Sequence, residues 1–84
     1  MRMIQKLKLF EQTVVFLRWA TAAEFGKILY VGDDFVEFLA LNPETMEYGD
    51  KILVNSQLIL EVMVSGCEIS RLIAELSANV DINN

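Results

Sequence analysis

The stretch GKILYVGDDFVEFLAL, residues 26–41, decides how the chain folds. Its first half, residues 27–31, is a short run of strand-forming side chains, and residues 35–41 form another. Between them Gly32-Asp33-Asp34 signals a turn, because glycine reaches left-handed backbone angles and aspartate bonds its own backbone. The expectation is a pair of strands joined by that turn. The second strand is apolar on both sides: Phe35, Leu39 and Leu41 share one face, Val36, Phe38 and Ala40 the other, and Glu37 is the only charge. A sheet made of such strands needs cover twice over.

Working outward, residues 13–19 are β-branched and aromatic and read as a strand, with residues 20–25 as the link to Gly26. Before them Met3, Ile4, Leu7 and Phe10 recur at helical spacing, giving a short amphipathic helix over residues 3–10. After residue 41 the longest loop runs from Asn42-Pro43-Glu44 to Gly49-Asp50. Strands follow at 51–55 and 58–64, with only Ser56-Gln57 between them. In the last strand Leu58, Leu60, Val62 and Val64 alternate with Ile59, Glu61 and Met63.

The C-terminal element is helical. Ser65-Gly66-Cys67-Glu68 fits a capping box, with Ser65 serving a free amide and Glu68 reaching back. Ile69, Leu72, Ile73, Leu76 and Val80 then repeat at helical spacing, so a helix is expected over residues 67–79 with a frayed tail from Asp81. Five short strands after a short helix predict a small, strongly bent five-stranded antiparallel barrel, one domain over residues 1–84.

Composition narrows the function. The chain has 84 residues, 54% of them apolar, with seven Lys/Arg against twelve Asp/Glu. One small domain has little interior for so much apolar surface, which points to self-association. No His and a single Cys, Cys67, remove Cys/His metal sites, disulfides and His-based acid/base catalysis. No acid/base pair, nucleophile constellation or phosphate loop is visible, so neither an enzyme nor a cofactor is expected. The longest charge-free run, residues 52–60, falls far short of the ~20 residues that span a bilayer, and a cytoplasmic, membrane-free protein is the expectation. Charge is polarised: residues 1–28 hold five basic and two acidic side chains, a net of +3, while residues 29–84 hold two and ten, a net of −8.

In this order of elements the sequence resembles the Sm-like (LSm/Hfq-like) family, in the style of divergent members from environmental and phage sequences. Gly26, Ile28, Asp33 and Phe35 match the first family motif, with one extra residue between Gly26 and Asp33. The second motif is similar to residues 54–62, VNSQLILEV. The resemblance covers roughly residues 3–64 and rests on spacing and apolar type. It implies an SH3-type barrel and a homo-oligomeric ring of roughly five to seven subunits, closed by strand 51–55 of one copy pairing with strand 58–64 of the next. It also implies single-stranded RNA as ligand, in a pocket where Phe35 keeps the base-stacking position. The family's Asn is here Glu37, its Arg is Asn55 and its Gly is Ser56.

Each candidate has two readings. Phe35 either stacks a base or packs inside the barrel. Asn55 either bonds a base edge or is a satisfied turn amide. Glu37 would repel phosphate but can accept from a base amino group. Asp33, Asp34, Glu37 and Asp50 are either an oxygen-rich cation site or a solvated acidic surface, and the latter is preferred, leaving no metal site. Cys67 reads as a buried structural thiol, and Trp19 and Tyr30 as packing aromatics. Arg2, Lys6 and Lys8 either contact phosphates from one basic face or form an ordinary solvated helix face. Two functions follow: an RNA-binding or RNA-metabolism ring, or an oligomeric protein-interaction module that kept the ring and lost the RNA site.

Overall fold

A computed structural model describes the backbone of residues 2–82 and the side chains of residues 2–78. Helix α1 (Met3–Leu7) runs into a single 3-10 turn (Lys8–Phe10). Strands β1 (Val14–Trp19), β2 (Ala22–Val31), β3 (Phe35–Asn42), β4 (Glu47–Asn55) and β5 (Ile59–Met63) follow, and helix α2 (Cys67–Ile82) ends the described chain. All pairings are antiparallel and the strand order is β4-β3-β2-β1-β5. No helix is long and apolar enough to cross a membrane among the described residues.

The expected barrel is not closed. β4 and β5 are the two edges of one open sheet, because β5 leaves β4 through a 3-10 turn (Ser56–Leu58) and crosses to pair with β1. That turn also moves the start of the last strand from residue 58 to Ile59. The expected link at residues 20–25 is mostly strand. Ala22-Ala23-Glu24 has little intrinsic β preference, yet it pairs with Arg18 and its neighbours, and only Ala20 and Thr21 turn. The expected loop at 42–50 contracts likewise. The Asn42 side chain accepts from the Glu44 amide at 2.9 Å and its carbonyl from the Met46 amide at 2.8 Å, an Asx-type turn that lets β4 begin at Glu47.

One face of the sheet carries the main core. Val15, Leu17, Ile28, Val31, Val36, Phe38 and Val54 are buried there, closed over by Leu7 with Ile4 and Phe10. Met3, expected on the same helix face, is exposed. Gly26 lies under the Phe38 ring, where an added Cβ would clash with that ring and with the Leu39 carbonyl. The other face is covered over part of its area by α2: Leu72 and Leu76 pack on Val14, Phe25, Leu41 and Met46. The two-sided apolarity of the third strand is thus met by a core on one side and a helix on the other.

The α2 start differs from the expected capping box. The helix begins at Cys67 after Gly66, and the Glu68 carboxylate is taken by Arg71 rather than reaching back. Cys67 is exposed, on the side of the first turn away from buried Ile69 and Leu72, so it is not a core thiol. Helical backbone continues to Ile82, past the expected end at 79; the rest of the expected frayed tail, residues 83–84, lies outside the described residues.

A bulge in β2 sets which way its last residues face. Ile28 pairs with Phe38 and Tyr30 with Glu37, so Leu29 is an extra residue without a partner. The segment before β1 engages the backbone around it. The Gln12 amide donates to the Ile28 carbonyl at 2.6 Å, the Gln12 side chain to the Leu29 carbonyl at 2.8 Å, and the Val31 amide donates to the Glu11 carboxylate at 2.7 Å. Glu11→Ala removes an acceptor of a part-buried amide, and should lower unfolding free energy by about 2 kcal/mol in urea titrations. Glu11→Gln, which keeps an acceptor oxygen, should recover part of that loss.

Candidate functional site

The bulge turns Tyr30 out of the core and onto the face of Phe35. Tyr30 is 50% exposed, and its ring centroid lies 5.9 Å from that of Phe35 at an interplanar angle of 47°. Phe35 is half-buried and stands outside the main core, so of its two readings the one that packs it inside does not hold. The reason is register: Val36 takes the inward position at the start of β3, and Phe35 must point the other way. Gly32 completes its seat, since a Cβ there would run into the Phe35 ring.

Asn55 stands directly across from Phe35 in the β3–β4 ladder. Its side-chain oxygen accepts from the Gln57 amide at 2.9 Å, fastening the 3-10 turn, so its amide nitrogen is the group left to face a ligand. Ser56 is held through its backbone, its amide donating to the Asp34 carbonyl at 3.0 Å. That bond ties the β2–β3 and β4–β5 turns to each other beside the aromatic pair. Phe35, Asn55 and Ser56 therefore lie at one end of the sheet. Glu37 lies one outward position further along β3 and forms an ion pair with Lys51 at 3.1 Å. This partner lowers the repulsion Glu37 would otherwise exert on an anion.

The remaining candidates are placed elsewhere. Arg2, Lys6 and Lys8 are exposed on α1 and the turn after it. Asp33, Asp34, Glu37 and Asp50 are not collected into a ligand set: no group of three or more Cys, Asp or Glu side chains is arranged to hold a metal among the described residues. Trp19 packs on the core, edge-on to Phe38 at 6.2 Å. Burial pushes the Tyr48 phenol above its ordinary pKa, and the hydrogen bonds that Arg71 donates to Glu68 and Glu75 raise that of its guanidinium.

Sequence reasoning missed two parts of this arrangement. Lys51 is the counter-ion of Glu37, a relation fixed by the β3–β4 register and invisible before it is known. Tyr30 reads as a packing aromatic from its residue type alone; the bulge at Leu29, with Gln12 and Glu11 serving the backbone around it, turns it out. Compared with protein-family models, curated proteins and solved structures, the chain matches none.

The double duty of Asn55 is separable. Asn55→Ala should cost about 1 kcal/mol of stability through loss of the turn cap, whereas Asn55→Asp, which keeps the acceptor, should unfold within a few tenths of a kcal/mol of the parent in denaturant titrations.

Proposed function

We propose that the chain is the subunit of an Sm-like homo-oligomeric ring that binds single-stranded RNA as a scaffold in RNA metabolism. The observation that carries this reading is the placement of Phe35, half-open and beside Tyr30, directly opposite Asn55 at one end of the sheet. Two ring faces at a tilted angle offer a stacking platform that accepts any base, and the free Asn55 amide can donate to a base carbonyl. Glu37 is neutralised by Lys51, and Arg2, Lys6 and Lys8 supply exposed positive charge for phosphates.

The ring is supported by the open sheet. β4 and β5 are both unpaired edges, and each displays large apolar side chains: Leu53 on β4 is 67% exposed and Leu60 on β5 is 64% exposed. Neither edge carries a proline to block a further strand. Pairing β4 of one copy with β5 of the next would satisfy both rows of backbone groups and repeat around an axis. Native mass measurement at micromolar protein should give a closed species of about five to seven copies. Leu53→Asp, placing a charge in that contact, should shift it to monomer; a parent chain that is monomeric under the same conditions defeats the ring.

For RNA, fluorescence anisotropy with labelled U-rich and A-rich single strands at low salt should show binding that Phe35→Ala weakens about tenfold or more, the loss of one stacked base. No binding at tens of micromolar protein overturns the RNA reading. A second reading then stands on a specific observation: Asn55 is already engaged by Gln57, and a carboxylate, Glu37, occupies the position where the family has an amide. An oligomer intact in mass but silent toward RNA would be the protein-interaction module, with exposed residues of α2 such as Ile73 as its contact surface.

A further inference from the structure

At the end of the sheet away from the Phe35 site, between the β1–β2 turn and the β3–β4 turn, lies an open cleft of about 520 Å³. Its apolar wall is the Phe16–Phe25 pair, ring centroids 4.9 Å apart, and its rim carries Glu24, Glu47 and Asp50. Among the described residues these three carboxylates have no ion-pair partner; the four pairs engage Glu61, Glu37, Glu68 and Glu75 instead. Three unpaired carboxylates around an aromatic wall select for a cationic occupant that also has an apolar tip.

The chain carries such a group at its opposite end. α1 and the turn after it lie beside the Ile28–Val31 segment, held there through Gln12 and Glu11. Arg2, Lys6 and Leu9 are spaced by four and three residues, so they form one stripe along this helical segment. All three are exposed, and Leu9, at 68%, is the most exposed large apolar side chain described. Arg2, Lys6 and the neighbouring Lys8 have no ion-pair partner among the described residues. We infer that the acidic aromatic cleft is a docking site for the α1 stripe of a second copy of this chain, with Leu9 against Phe16 and Phe25 and the cations against Glu24, Glu47 and Asp50.

The contact is heterologous, joining the head of one copy to the tail of the next; Glu47 and Asp50 belong to β4 and Lys6 lies near Val62 of β5, but the contact runs through these side chains and not through the unpaired backbone groups of the two edges. It therefore stacks copies, or stacks rings if these form, and it does not depend on RNA binding. Because docking occupies Arg2 and Lys6, it also withdraws them from any anion bound at that end.

Sedimentation velocity on the full chain, free of RNA, separates this contact from edge pairing. Charge pairing is screened by salt while apolar strand pairing persists, so weight-average mass should rise about twofold or more between about 0.5 M and about 0.05 M salt. Arg2→Glu with Lys6→Glu should abolish the rise, and so should Glu47→Lys with Asp50→Lys. Mixing those two variants in equal amounts should restore it, since each then presents the charge the other needs. Leu9→Ser alone, at a position too exposed to threaten folding, should reduce it. A low-salt mass equal to the high-salt mass overturns the inference. So does a rise that survives the α1 substitutions but not the cleft substitutions, because the occupant is then some other basic surface.

Discussion

The extra residue at Leu29 is the constraint on which the rest of the structure depends. Without it, strict alternation along β2 would bury Tyr30 beside Ile28 and expose Val31. With it, Ile28 and Val31 both face the core, and Tyr30 joins Phe35 outside. A bulge leaves backbone groups without ladder partners, and in a half-buried setting each costs about 1–3 kcal/mol if nothing replaces water. Glu11 and Gln12 supply the replacement, and Gln12 adopts a left-handed φ of 68° to do so. The connector before β1 is therefore a clamp, and the same clamp anchors α1 over the open end of the core.

Much of the fold was legible because its signals are local. The Gly32-Asp33-Asp34 turn, the apolar run of β3 and the periodicity of α2 each lie within a dozen residues, and each reappears as an element. The errors concern partners. Ala22-Ala23-Glu24 reads as a link on propensity but becomes strand, since β1 stands ready to pair with it. The barrel expectation assumed that five bent strands close on themselves. Whether β4 meets β5 within one chain depends on where the Ser56–Leu58 turn aims the chain, which no residue type in it announces.

The candidate site divides in the same way. Resemblance points to Phe35, Asn55 and Ser56; the β3–β4 register sets the first two opposite each other, and the Ser56–Asp34 bond holds the third beside them. Their environment was not legible. Lys51 beside Glu37, Gly32 beneath the Phe35 ring and the Asn55–Gln57 bond are all products of three-dimensional pairing. The acidic cleft is a harder case still. Its carboxylates, Glu24, Glu47 and Asp50, come from segments that the sequence presents as a link and a loop, and only the conversion of both into paired strands sets them around one opening.

The strand order has a kinetic side. β1 to β4 form a meander in which each strand pairs with the next, so their ladders close over short loops. β5 alone breaks the sequence, returning to β1 with Arg18 and Glu61 in contact 43 positions apart. Loop closure grows costlier with separation, and non-local pairings slow folding more than local ones. The arrival of β5, which brings α2 over Val14 and Leu41, is then the late event. The hinge of that event is the Ser56–Leu58 turn, so the residues that shape the proposed ligand site also govern how quickly the chain reaches its native state.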